Sequence, residues 1–425
     1  MTPVQETVVA LRVRAQEEIG RSLADDLPED DAEVRAWALL VDLVEEENRR
    51  RVLSNDPPLS PEERTAAAQE LFNQFFRIGP LQPLLDDESI EEVVVNAPDR
   101  GFVVRAGGAK EEFHPGFSSD EEVRSLLARI ISRSGRRIDD ASPAVDVRLP
   151  DGARLHALLP PLAHRPCLTI RRHRMVAESL DDLTALGTVT AELAEFLRRS
   201  VEGGLNVLVS GGTASGKTTT LNALGSAIPP RERVVTIEET AELRLEELLP
   251  DCVALEARAA NVEGLGQIGI RELVRHALRM RPTRIVVGEV RGPEALDMLS
   301  AMNTGHDGSM GTIHANSARQ ALSKLRTYVL MAEEQLTPEV ATEMIAETVD
   351  LVVHLRLDQH AGTRRVVQVA EVAGLEAGRL LSNDLFRVED GSLVHTSVRP
   401  RFADRLDELA LAAAPNALVG IVPEG

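Results

Sequence analysis

The octapeptide Gly211-Gly212-Thr213-Ala214-Ser215-Gly216-Lys217-Thr218 constrains the fold around it more than any other stretch of this chain. It matches G-x4-G-K-[ST], with the apolar run Leu205 to Val209 before it and Thr219 to Leu224, able to start a helix, after it. A strand, a glycine turn and a helix in that order turn backbone N–H groups inward beside the positive end of the helix. Gly211, Gly212, Thr213, Ala214, Ser215, Gly216, Lys217, Thr218 and Thr219 thus make a candidate cradle for phosphate oxygens. Lys217 would reach the β and γ phosphates of a nucleotide, and the Thr218 hydroxyl would ligate Mg²⁺. Lysine occurs elsewhere only at Lys110 and Lys324. A chain that relies on arginine keeps a compact, flexible ammonium where phosphate binding has a use for one.

The surrounding pattern extends this local geometry to a fold class. Leu205–Ser210, Val234–Glu238, Ile285–Gly288, Ser309–His314 and Leu351–Leu355 read as core strands, with helical segments between most of them. Such alternation predicts an α/β fold with a largely parallel sheet. Ligands of open α/β sheets sit beyond the carboxyl ends of the strands, which directs attention to what stands there.

Three groups stand there. Arg284-Ile285-Val286-Val287-Gly288-Glu289 is a buried strand ending in an acid, and Glu289 is the candidate to polarise an attacking water. Val234 to Ile237 leads into Glu238, Glu239 and Glu242, carboxylates that repel one another unless a metal, an arginine or water intervenes. Magnesium is one resolution, and a solvated acidic turn is the other. His306 and His314 lie eight positions apart around a glycine-rich turn and a short strand, where both could point toward one site. A zinc pair lacks a Cys or third His near at ligand spacing.

Outside this region the chain changes character twice. Residues 1–77 read as helical and acidic, with Val34, Trp37, Ala38, Val41 and Val44 on one face of a helix from Asp31 to Leu53. Ser60-Pro61-Glu62-Glu63 reads as the capped start of another helix, with Leu71, Phe72, Phe75 and Phe76 on its apolar side. This region is either a small helical bundle or a partner-docking module. Residues 78–174 mix short strands with a helix near Ser119 to Ser134, an α+β pattern that ends in the basic cluster Arg165, Arg171, Arg172 and Arg174. In an oligomeric nucleotide hydrolase, Arg171 and Arg172 could stabilise charge developing on phosphate; acid-pairing surface residues are the alternative. The expected organisation is completed by a linker over 175–187, the α/β domain over 188–395 and a tail over 396–425.

Composition excludes several classes. A net charge of −21 disfavours non-specific binding to nucleic acid or an anionic lipid surface. Aromatics at 3% leave little for stacking on bases, so no direct nucleic-acid partner is expected. No apolar run approaches the ~18 residues of a membrane helix, and no secretory signal is visible. With Cys167 and Cys252 as the two cysteines, a reducing cytosol is the expected compartment.

In their order these motifs resemble the type II/type IV secretion ATPase superfamily. Its Walker A loop, acidic "Asp box", Walker B glutamate and "His box" would be residues 211–218, 236–242, 284–289 and 304–314. Within it, the likeness is to the CpaF-type ATPases of tight-adherence (Tad/Flp) pili. It is carried by Leu278-Arg279-Met280-Arg281-Pro282, Val287-Gly288-Glu289-Val290-Arg291-Gly292, Ala301-Met302-Asn303-Thr304-Gly305-His306 and Asp146-Val147-Arg148-Leu149-Pro150-Asp151-Gly152. It runs from about Ile78 to Val372. The resemblance implies a RecA-like P-loop ATPase core with a smaller α+β N-terminal domain and a helical extension. It also implies a homo-hexamer with ATP and Mg²⁺ held between the N-terminal and RecA-like domains and near a neighbouring subunit. Docking to polytopic inner-membrane platform proteins, and ATP-driven pilin assembly or export, are implied as well. Glu289 would be the catalytic acid, Glu239 and Glu242 the Asp-box acids, His306 and His314 the His-box pair, and Thr218, Glu239 and Glu289 the groups nearest the metal. The family usually has aspartate where this chain has Glu239, which lengthens that side chain by one methylene. Two other classes remain in view: a nucleic-acid-translocating P-loop ATPase, marked by stimulation with DNA or RNA, and a non-catalytic nucleotide-dependent scaffold, marked by function surviving Glu289→Gln.

Overall fold

The computed structural model describes residues 2–22, 29–105, 108–172, 176–258, 260, 265–358 and 361–407. The chain divides into two compact units, residues 1–174 and 175–425.

The first unit begins with three helices, α1 (Pro3–Ser22), α2 (Glu29–Leu53) and α3 (Pro61–Phe76). Ser60 caps α3 through a reciprocal capping box with Glu63, which satisfies two backbone donors at the helix start. The three helices share an apolar core in which Trp37 meets Phe72 edge-on at 5.7 Å. The face of α2 differs from the sequence expectation. Val34 is 71% exposed and Ala38 is exposed, whereas Ala36, Leu40, Leu43 and Val44 are buried. The helix offers two apolar stripes, and packing against α1 and α3 selects the one that carries the leucines.

A short helix, α4 (Gln82–Asp86), leads into β1 (Ile90–Ala97), β2 (Arg100–Arg105), β3 (Lys110–Phe113), α5 (Asp120–Arg133), β4 (Ala144–Arg148), β5 (Arg154–Leu158) and β6 (Cys167–Arg171). The strands form an antiparallel sheet in the order β3-β2-β1-β6-β5-β4. Val123, Leu126, Leu127, Ile130 and Ile131 recur at helical spacing along α5 and join the core that the sheet lines.

The second unit starts with α6 (Leu180–Ala185), where a linker was expected. Ser179 and Asp182 form its capping box, and Leu180 and Leu183 enter the core, so part of this stretch is a packed helix. It continues through α7 (Ala191–Glu202), β7 (Val207–Gly211), α8 (Lys217–Gly225), β8 (Val234–Glu238), α9 (Leu245–Leu248), β9 (Cys252–Glu256), α10 (Ile270–Ala277) and β10 (Arg284–Val290). Then come α11 (Glu294–Asn303), β11 (Met310–His314), α12 (Ala318–Leu330), α13 (Pro338–Thr348), β12 (Leu351–Asp358), β13 (Thr363–Glu376), β14 (Arg379–Glu389) and β15 (Ser392–His395). The sheet order is β15-β14-β13-β12-β7-β11-β10-β8-β9. From β12 to β9 every pairing is parallel. From β12 to β15 every pairing is antiparallel.

In chain order the five strands around the loop run fifth, first, fourth, third, second, the order of a RecA-like core. Both faces are covered, as a parallel sheet requires. Val207 and Val209 face one apolar cluster while Leu208 faces the other, and Val353 and Val352 divide in the same way. The region after 395 also contributes to the core: Phe402 and Leu406 are buried in it. Within the expected tail, residues 403–407 are helical, and the chain after 407 lies outside the described residues.

Candidate functional site

The site grows from the end of β7, all five residues of which are buried. Gly211 is required by a close approach: a Cβ there would stand 2.4 Å from Ser215 Oγ and 2.9 Å from the Leu355 carbonyl oxygen. Gly216 caps α8 in the left-handed region at φ +93°, a conformation open to glycine at little cost. Ala214 shares that region at φ +57°. Ser215 Oγ donates to the Gly212 carbonyl at 2.9 Å and Lys217 Nζ donates to the same oxygen at 2.8 Å, which closes the loop around the start of α8. The backbone from 211 to 219 thus has the strand–turn–helix geometry that suits phosphate oxygens.

Glu289 stands near the end of β10 because of a bulge. Val287 pairs with Gly311 but Val290 pairs with Ile313, so two residues, Gly288 and Glu289, oppose Thr312 alone. Thr312 Oγ1 donates to the Gly288 carbonyl at 2.6 Å and so fills the irregularity. Gly288 is required as well: a Cβ there would meet Glu238 Cγ at 2.7 Å.

Around Glu289 the structure gathers an ion network. His314 Nε2 lies 3.0 Å from Glu289 Oε1, and Arg291 donates to Glu289 Oε2 at 2.8 Å and to Glu239 Oε2 at 3.0 Å. Lys217 Nζ lies 3.4 Å from each ring nitrogen of His314. Burial, with the neighbouring Lys217 ammonium, holds the His314 imidazole below its ordinary pKa, against the pull of Glu289. A chain of neighbours thus links Lys217, His314, Glu289, Arg291 and Glu239. Glu289 Oε1 is buried without a hydrogen bond of good geometry.

The Asp-box region is organised by Glu238. Its carboxyl is buried and accepts backbone N–H groups of Glu242 at 3.1 Å and Leu243 at 3.2 Å. Burial raises its pKa to about 7 against those two bonds. The carboxylate repulsion expected here is relieved in two ways: Glu239 meets Arg291, and burial makes Glu238 harder to ionise than its neighbours. For Mg²⁺ the donor set fits an ion that takes few protein ligands and keeps phosphate and water oxygens. The Thr218 hydroxyl is carried on the first turn of α8, and no group of three His, Cys, Asp or Glu that could hold a metal occurs among the described residues.

His306 does not join this cluster. It precedes β11 and His314 ends it, so the five residues of the strand, rising ~3.3 Å each, place the two residues at opposite ends of that strand. His306 Nδ1 lies 3.0 Å from the Ala301 carbonyl oxygen, and Asn206 Oδ1 binds the Gly308 and Ser309 N–H groups at the edge where β7 begins. An extended strand cannot bring both of its ends to one point. In the first unit, Arg171 pairs with Glu92 at 3.4 Å, Arg172 donates to the Asp87 carbonyl and Arg165 pairs with Asp120 at 3.4 Å; Arg174 lies outside the described residues. Glu242 contributes its backbone N–H to the Glu238 carboxyl.

Arg291 and Lys324 carried no expected role, and Glu238 was expected only as one of three mutually repelling carboxylates; the Lys324 ammonium donates to the His314 carbonyl at 3.0 Å. Glycine before Glu289 was the available signal for the bulge, and an apolar run ending in an acid was the signal for Glu238.

The chain is similar to known proteins along most of its length. The family described as type II/IV secretion system protein matches residues 77–379. A putative conjugal transfer protein of Mycobacterium tuberculosis is 38% identical over 335 residues, 76% of this chain and 93% of the relative. The type IV secretion system protein PtlH of Bordetella pertussis is 34% identical over 333 residues, 71% of this chain and 96% of the relative. Among solved structures, the VirB11 ATPase of the Brucella suis type IV secretion system, in complex with sulphate, is 32% identical and covers 69% of this chain and 95% of its own, with a TM-score of 0.38. The chain belongs to the type II/IV secretion system protein family.

Proposed function

We propose that this chain is an ATP-hydrolysing motor that drives pilus assembly of the Tad/Flp type or type II/IV secretion at the bacterial inner membrane. The observation that carries the reading is the meeting of Lys217, His314, Glu289 and Arg291 beside the loop at the end of β7. Backbone N–H groups of 211–219 and the Lys217 ammonium bind the phosphates of ATP. Mg²⁺, held through the Thr218 hydroxyl with Glu239 and Glu289 nearby, would neutralise charge on those phosphates. Glu289 accepts a proton from the attacking water, and His314 and Arg291 orient its carboxylate. Glu242 belongs to the acidic loop that Glu238 anchors. Arg171 and Arg172 of the first unit are candidates to stabilise phosphate charge, and His306 is a candidate for a role outside the Glu289 cluster. The family assignment supports a homo-hexamer in the cytoplasm, attached peripherally to inner-membrane platform proteins. No described helix is long and apolar enough to cross a membrane.

The test is phosphate release from ATP-Mg²⁺ by the purified protein beside Glu289→Gln, with native mass recorded in the same buffer. We expect a hexamer whose turnover falls by at least about 100-fold in the variant while nucleotide binding persists. Wild-type protein that binds no nucleotide, or a variant that turns over normally, would sink the assignment.

A further inference from the structure

The strand hairpin β12–β13 brings a side chain to the phosphate loop from a part of the sequence about 150 residues away. Arg364, near the start of β13 and paired in register with Leu357, donates from Nε to the Ala214 carbonyl at 2.9 Å. Its aliphatic stem covers Gly216: a Cβ built there would stand 3.4 Å from Arg364 Cδ and 4.0 Å from Cβ. The arginine therefore spans the two loop residues held at positive φ, Ala214 at +57° and Gly216 at +93°. Alanine in the left-handed region costs on the order of 1 kcal/mol and persists only when its surroundings hold it. A hydrogen bond from a guanidinium to that residue's own carbonyl is such a hold, and charge assistance makes it stronger than a neutral bond.

We propose that Arg364 is a positioning residue for the phosphate loop, fixing the 214–216 turn so that the loop N–H groups face inward before phosphate binds. The proposal rests on the reading of the loop as an ATP site. The hairpin and the loop lie in the same compact unit, and β12 pairs with β7 through Leu355 and Gly211, so the arginine is carried on a rigid neighbour of the loop. Pre-organisation of this kind lowers the cost of ordering the loop on binding and acts on affinity more than on the chemical step. A guanidinium beside the loop also adds positive potential to a site for polyphosphate.

The experiment compares wild type, Arg364→Ala, Arg364→Lys and Arg364→Gln by steady-state ATP hydrolysis, binding of a fluorescent ATP analogue and thermal unfolding. We expect Arg364→Ala to raise KM and the analogue's Kd about 5- to 10-fold, with kcat within about two-fold and Tm unchanged. Arg364→Gln, which keeps a planar N–H donor, and Arg364→Lys, which keeps the charge, should each recover part of the affinity. An unchanged KM and Kd in Arg364→Ala overturns the proposal. So does a loss of kcat in step with Tm, shared by all three variants, because that marks a purely structural role. A wild type that binds no nucleotide instead overturns the ATP reading itself.

Discussion

Glu238 shows how one buried carboxyl sets conditions for its neighbours. It stands 4% exposed at the end of β8, and burial lifts its pKa from 4.5 to about 7. In the folded chain it keeps a proton that the unfolded chain has lost, so stability falls as pH rises between about 4.5 and 7. The contribution is fully present below the unfolded pKa and is gone above the folded one. At ~1.4 kcal/mol per pKa unit the swing is on the order of 3 kcal/mol. Denaturant unfolding of wild type and Glu238→Gln across that range should show the slope in the first and its absence in the second. A parallel slope in both would assign the effect to other groups.

At the scale of elements, the bulge in β10 and the residue of β11 that fills it control where Glu289 stands. Thr312 is 1% exposed and its hydroxyl holds the Gly288 carbonyl. Thr312→Val keeps the shape and leaves that buried oxygen without its partner, which costs about 1–3 kcal/mol. The expected result is a lower Tm with kcat reduced several-fold and KM for ATP nearly unchanged, since the phosphate loop is not touched. A variant with wild-type kcat would show that the bulge does not set the position of Glu289. Gly288 reports the same constraint from the other side, because Glu238 occupies the space a Cβ would take.

For the whole molecule, the apolar clusters respect the division at residue 174. Two lie entirely within the first unit and two within the second. A unit with a core of its own can unfold as its own cooperative unit. Calorimetry should therefore resolve two transitions. A non-hydrolysable ATP analogue at about 100 times its Kd should raise the transition of the loop-bearing unit by ~2.7 kcal/mol of stability. A single transition, or a shift confined to the other unit, would contradict this. The net charge of −21 belongs to the same scale: it predicts phosphate release from ATP that does not rise on adding DNA or RNA, which a turnover assay with and without nucleic acid checks.

The features legible in the sequence were those written in short, contiguous residues. Gly211 to Thr218 announced the loop, because only certain residues permit its backbone, and the apolar runs before Gly211, Glu238 and Glu289 announced parallel strands, because both sheet faces are covered. Ser60 and Glu63 announced the start of α3 by their capping chemistry. Relations between distant segments were not legible. The buried face of α2 depended on which stripe α1 and α3 would cover, and the separation of His306 from His314 depended on the strand between them being extended across the sheet. Arg291 meeting Glu239, and Arg364 meeting Ala214, depend on pairings 52 and 150 residues apart. Local conformational preference and hydrophobic period act within a few residues and so are carried by sequence itself; long-range contact, burial and the pKa values they set exist only once the sheet order has brought the strand ends together.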